Sequence, residues 1–247
     1  MLDRKRLAEI TAQGPRPVFA TISGAHLYGF ASADSDVDLR GAFLLPAEEM
    51  LSIDPPKETI AIEENTDIEL DWVAHDLRKF ARMMVSHNGY VMEQLFSPLV
   101  VVTTPLHEQL IEVGKGCLTR PMVRHYLGFA RGRRKRLEEP DATVKHLLYA
   151  YRVYLSGIHL MQTGALESNL AALNEAYPLP EVAELIARKR DGAEHMQLRD
   201  GDLEVHRKHL DRMEAQLHTA HAESSLPEEP KTAAQLNDLV VGARFES

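Results

Sequence analysis

Strand-like patterning stops at residue 103. Up to that point apolar and polar side chains alternate or gather in short β-branched runs. Beyond Thr104-Pro105 the apolar residues recur at helical spacing to the end of the chain. This change of period predicts an α+β chain, with strands and helices alternating over 1–104 and an all-helical region over 105–247. Helix is expected at 2–12 and strand at Val18–Ser23, Val37–Leu45, Glu58–Ile62 and Leu99–Thr103. Asp67 to Val73 alternates acid with apolar and predicts a strand with Asp67, Glu69 and Asp71 on one face and Ile68, Leu70 and Trp72 on the other. A helix from Leu77 is expected to stop at Ser86-His87-Asn88-Gly89, with Gly89 as its cap. Further helices are expected at 105–114, 120–138, 141–163, 167–175, 179–192, 201–222 and 231–240. The polar, Pro-rich SSLPEEPK from Ser224 reads as a mobile linker.

Within the first part, the stretch Thr21 to Arg40, TISGAHLYGFASADSDVDLR, concentrates the chemistry. Ser23-Gly24-Ala25 follows an apolar run, and a turn of such small residues lets backbone N–H groups approach a phosphate. Asp36 and Asp38 flank one apolar residue, so on a strand they share a face. Two adjacent carboxylates repel, and a cation between them relieves that. Hard oxygen ligands with room for water and phosphate suit Mg²⁺, with Mn²⁺ as the substitute. A phosphate cradle beside metal-binding carboxylates suggests nucleotidyl transfer. One of the acids Asp67, Glu69 and Asp71 is a candidate to join them at the metal; the alternative is an edge strand with a wet acidic face. Arg40 either steers phosphate or pairs with Asp36, and Ser35 joins the nucleotide-binding candidates.

Two basic groups lie in the helical part. Lys145, Tyr149 and Arg152 share one helix face, a cation–aromatic–cation pattern suited to a triphosphate and a base. Arg131, Arg133, Arg134, Lys135 and Arg136 form the densest basic run and could grip an RNA backbone, the alternative being a solvated helix face. The net charge of −9 over 247 residues argues against non-specific coating of nucleic acid. Cys117 stands alone, which excludes a disulfide framework and a Cys-rich zinc site, and its place in a helical region reads as core. The twelve histidines show no HExxH spacing. No apolar run approaches the roughly 18–20 residues of a membrane span, and the N-terminus lacks an apolar signal region, so a cytoplasmic protein without a membrane partner is expected.

The apolar strand, the small-residue turn and the Asp-Val-Asp step after it resemble the polymerase-β nucleotidyltransferase superfamily. SGAHLYGFASADSDVDLRG, then DLRKF, HNGYVMEQLF and KHLLYAYR, resemble its RNA-repair-associated, RlaP-like subgroup, from about residue 17 to about residue 165. The resemblance implies a small mixed nucleotidyltransferase sheet with flanking helices. It implies two Mg²⁺ ions on three carboxylates and transfer of a nucleoside monophosphate from an NTP to an RNA end. On this pattern Gly24 and Ala25 form the cradle, Asp36 and Asp38 are metal ligands, and the third carboxylate is Asp71 or, second, Glu69. Transfer to a protein or small-molecule hydroxyl, or a catalytically weak nucleotide- or RNA-binding module, are the alternatives. Ala25 departs from the pattern, which has serine there; the missing hydrogen bond is worth on the order of 1 kcal/mol.

Overall fold

The computed structural model describes residues 2–65, 69–191, 197–198 and 202–245. The first elements in chain order are α1 (Arg4–Thr11), β1 (Pro17–Ile22), α2 (Gly24–Leu27), β2 (Val37–Phe43), α3 (Ala47–Met50), β3 (Thr59–Glu64) and β4 (Leu70–Asp76). Then come α4 (Leu77–Val85), α5 (Gly89–Leu95), β5 (Val100–Val102), α6 (Pro105–Lys115), α7 (Val123–Leu137) and α8 (Val144–Thr163). The chain closes with α9 (Leu170–Ala176), α10 (Pro180–Asp191), α11 (Asp202–Glu223) and α12 (Ala233–Phe245). The α+β class is as expected, and among the described residues every element named after β5 is helical. Packing groups the chain into two units that interleave in sequence. Unit 1 is Met1–Gly24, Asp36–Leu118 and Glu229–Ser247; unit 2 is Ala25–Ser35 and Thr119–Glu228.

Unit 1 holds one five-stranded sheet in the order β3-β4-β2-β1-β5. β2 and β4 run parallel, and every other neighbouring pair is antiparallel. β1 is buried from Val18 to Ile22, as expected of a strand covered on both faces, and the one polar side chain in that run, Thr21, donates to the Gln94 carbonyl. On one face Leu7 and Ile10 of α1 join Ala20, Ile22, Val37, Leu39, Leu70, Trp72 and Ala74 in a core cluster. On the other, Phe19 meets Phe80 of α4 edge-on at 5.3 Å and stacks on His107 of α6 at 4.4 Å. Cys117 is fully buried in this unit, and burial raises its thiol pKa, so it is a core residue.

Two local expectations are corrected. The left-handed residue that ends α4 is His87, at φ 60°, not Gly89. Gly89 opens α5 instead, because Asn88 turns its Oδ1 onto the N–H of Tyr90 and caps that helix. SSLPEEPK is not a free linker. The Pro227 carbonyl accepts from Arg120 N at 2.8 Å, Glu228 pairs with Arg120, and Lys231 N donates to Gly116 O at 2.9 Å. The expected strand residues Asp67 and Ile68 lie outside the described residues.

α12 is tied to the sheet by a buried ion pair. Arg244 donates to Asp76 Oδ1 and to the Leu45 carbonyl, both at 2.5 Å. Asp76 also caps α4 through Arg78 N and accepts from Leu45 N, and its side chain is 0% exposed. Removing one partner of such a pair leaves a buried charge uncompensated. Arg244→Ala is therefore expected to lower unfolding stability by about 3–5 kcal/mol in chemical denaturation. Asp76→Asn added to it should recover part of the loss.

Unit 2 is built around α8, which is buried along most of its length and packs against α7 and α11. A Cβ at Gly157 would stand 3.0 Å from Tyr126 and 3.1 Å from Leu217, so the three helices meet where a side chain is absent. Gly164, at φ 72°, closes α8 as a left-handed cap. His125 on α7 is pushed down to about pH 4, first by burial and then by the nearby Arg152 charge. Its ordinary value is about 6.5, so the unfolded chain takes up the proton first as pH falls. Its contribution is intact above about pH 6.5 and is lost as pH drops toward 4, a loss on the order of 3 kcal/mol. His125→Phe should flatten the pH dependence of the melting temperature in that window.

Candidate active site

β2 begins at Val37, so Asp36 sits immediately before the strand and Asp38 is its second residue. Burial alternates along β4 and the first half of β2: Val37, Leu39, Leu70 and Trp72 are buried, while Asp38, Arg40, Asp71 and Val73 are only partly buried. The apolar set fills the core, which commits the polar set to the opposite face. The parallel register sets Asp38 beside Asp71 and Arg40 beside Val73. Thus Asp71 stands next to the second aspartate of the Asp-Val-Asp step. Glu69 lies before β4 with an exposed side chain, and its carbonyl accepts from Val37 N at 2.8 Å.

Arg40 does not pair with Asp36. Its Nη2 bonds to Asp38 Oδ1 at 2.6 Å and to Asp71 Oδ2 at 2.9 Å. Its Nη1 bonds to the carbonyls of Leu39 and Asp71 at 2.7 and 2.8 Å, and its Nε to the Tyr90 hydroxyl at 2.9 Å. The reason is strand geometry: a residue two places along shares the face of Asp38, and the neighbouring strand supplies Asp71. Burial acts to lower the Arg40 pKa, but Tyr90, Asp38 and Asp71 outweigh it and the pKa is raised. Tyr90, fifty residues from Arg40 in sequence, carries no local sign of this role; only the packing of α5 on the sheet brings it there.

The turn after β1 closes on the same aspartate. Ser23 N donates to the Asp38 carbonyl at 2.8 Å. Gly24 has φ 60°, and a Cβ there would lie 1.9 Å from Asp38 Oδ2. The turn can approach the carboxylate this closely only because residue 24 has no side chain. Ser23 is 1% exposed and its Oγ is buried without a hydrogen-bond partner. Ala25 follows, buried, and its carbonyl accepts from Phe30 N.

The remaining candidates lie in unit 2. Ser35 bonds through its hydroxyl to Ser32 N and lies 3.0 Å from Ser32 Oγ; Ser32 also accepts from the buried Lys189. Tyr149 meets Tyr28 and Phe30 edge-on at 5.5 and 5.4 Å. Arg152 is buried with its guanidinium 4.0 Å above the Tyr28 ring, and Lys145 is half-buried. Of the basic run, Arg134 pairs with Asp211 and Glu214, Arg136 pairs with Asp141, and Arg133 lies over the Tyr149 ring at 5.3 Å. Arg131 and Lys135 are exposed. Much of the run's charge is thus engaged inside the unit.

The sequence has counterparts in known proteins. The model of RlaP, the RNA repair pathway DNA polymerase beta family, matches residues 2–242. The chain belongs to this family. Among its relatives is the uncharacterized protein MJ0002 of Methanocaldococcus jannaschii, 31% identical over 159 residues, 63% of this chain and 65% of that protein. The match thus spans just under two thirds of that relative. The uncharacterized protein YcgL of Bacillus subtilis is 31% identical over 192 residues, 73% of this chain and 72% of that protein. The family is of the polymerase-β nucleotidyltransferase type, and its description links it to RNA repair. None of the helices, among the described residues, is long and apolar enough to cross a membrane.

The contrast between two glycines tests the turn. Gly24→Ala forces a Cβ onto Asp38 and strains a left-handed backbone, and should cost about 1–3 kcal/mol. Gly132, inside α7 with nothing within 4 Å of an added Cβ, should gain roughly 0.5–1 kcal/mol on the same change. Urea unfolding of the two variants checks both signs.

Proposed function

We propose that the protein is a divalent-metal-dependent nucleotidyltransferase that moves a nucleoside monophosphate from an NTP to an RNA end and releases pyrophosphate. The observation that carries this is the in-register placement of Asp38 beside Asp71, with Asp36 two residues upstream and the Gly24 turn against Asp38 Oδ2. The donors fit Mg²⁺ or Mn²⁺ in kind, being carboxylate oxygens on a partly exposed face, although among the described residues no three such side chains are gathered into a metal cluster. The orphaned Ser23 hydroxyl beside the turn also favours a polar ligand there, since an unmet buried hydroxyl costs about 1–3 kcal/mol.

On this reading Asp36, Asp38 and Asp71 would hold the cations, with Glu69 as the reserve for the third place. When bound, the cations neutralise the triphosphate and lower the pKa of the acceptor hydroxyl. The chain contributes position and fixed charge. Gly24 lets the backbone after β1 lie against the Asp38 carboxylate. The core packing of Leu39 and Trp72 keeps the carboxylates on one face. No nucleophilic side chain is required, in keeping with the buried Cys117. RNA as acceptor rests on the family's link to RNA repair. Arg131 and Lys135 are the exposed cations of the basic run available to its backbone.

The test is a transfer assay with labelled NTPs, Mg²⁺ and RNA, DNA or protein acceptors. Label should appear on RNA. Asp36→Ala and Asp38→Ala should each reduce turnover by at least about a hundredfold. Asp71→Ala should lose turnover while still binding nucleotide. Full turnover by Asp38→Ala, or label on protein alone, would refute the reading.

A further inference from the structure

Arg40 has five N–H donors. All five are used within unit 1: one on Tyr90, two on the carbonyls of Leu39 and Asp71, two on the carboxylates of Asp38 and Asp71. The side chain is only 12% exposed. A guanidinium so fully engaged is a built counter-ion, not a surface cation. It bonds to one oxygen of each of the two carboxylates that the proposed function assigns to metal. Asp38 gives it Oδ1, while Oδ2 faces the Gly24 turn.

We propose, resting on the metal reading above, that Arg40 is a built-in competitor of the divalent cation. Guanidinium and cation are alternative occupants of the Asp38–Asp71 pair, and entry of the cation frees Arg40 to bind the anionic nucleotide. Two carboxylates in register on neighbouring strands repel, and Arg40 offsets that with a single charge. A doubly charged ion offsets more, but it must break charge-assisted hydrogen bonds to enter. The ion alone therefore binds weakly. A triphosphate that takes up the released guanidinium repays the broken bonds, so ion and nucleotide bind cooperatively. Tyr90 sets the strength of the competition by holding Nε. A fixed strut would instead keep its contacts, and its removal would misplace the carboxylates and weaken ion binding.

Mn²⁺ titration followed by electron paramagnetic resonance separates the two, with no turnover involved. Without nucleotide, Arg40→Gln should bind Mn²⁺ about tenfold more tightly than the wild type, because a positive charge beside the site is gone. The tightening of Mn²⁺ binding by a non-hydrolysable NTP should shrink in the same variant. Tyr90→Phe, which leaves every charge in place, should show a smaller rise in Mn²⁺ affinity. It carries the test if Arg40→Gln does not fold. Unchanged or weaker Mn²⁺ binding in natively folded variants overturns the competition and leaves Arg40 a strut. If neither wild type nor variants take up Mn²⁺, the metal reading itself falls, and this proposal with it.

Discussion

The parallel pairing of β2 with β4 brings two like charges side by side, and the arrangement of unit 1 answers that repulsion. The pairing buries Leu39 and Trp72 on one face, and the period of a strand then leaves Asp38 and Asp71 together on the other. Arg40, in phase with Asp38, reaches both carboxylates and is itself held by Tyr90 of α5. The turn after β1 can then press against Asp38 because residue 24 is glycine. A one-residue slip of β2 would place Leu39 beside Asp71 and turn the aspartates into the core. Register, core packing and the candidate site are thus one constraint.

The chain's charges divide by location. In unit 2 two of the five cations in the basic run of α7, Arg134 and Arg136, are answered by Asp141, Asp211 and Glu214. Exposed pairs of this kind add little stability each, but they lower the charge the run presents to an anionic partner. The buried pair of Asp76 with Arg244 is different in kind. Neither side chain is hydrated enough to lose its partner cheaply, and the pair joins the last helix to the end of β4.

Local readings succeeded where the signal is periodic or steric. The strand–helix order, the buried β1 and the alternation of β4 all follow from spacing and residue type. They failed where two local options have similar energy. His87 rather than Gly89 takes the positive φ, because Asn88 is the better cap for α5 when Gly89 starts it. SSLPEEPK has a linker's composition, yet its backbone groups find partners at Arg120 and Gly116. Composition cannot register partners that arrive from elsewhere in the chain.

The candidate site divides the same way. By itself the sequence placed small residues at 23–25 directly after β1 and put Asp71 on the strand face opposite Trp72. These follow from strand period and side-chain volume, which are local. Only the tertiary structure decided that Asp71 stands beside Asp38, that Arg40 joins those two rather than Asp36, and that Tyr90 anchors it. Those contacts depend on which strands pair and in what register. That choice is made by burying Leu39, Trp72 and their neighbours together, a property of the whole sheet rather than of any stretch of it.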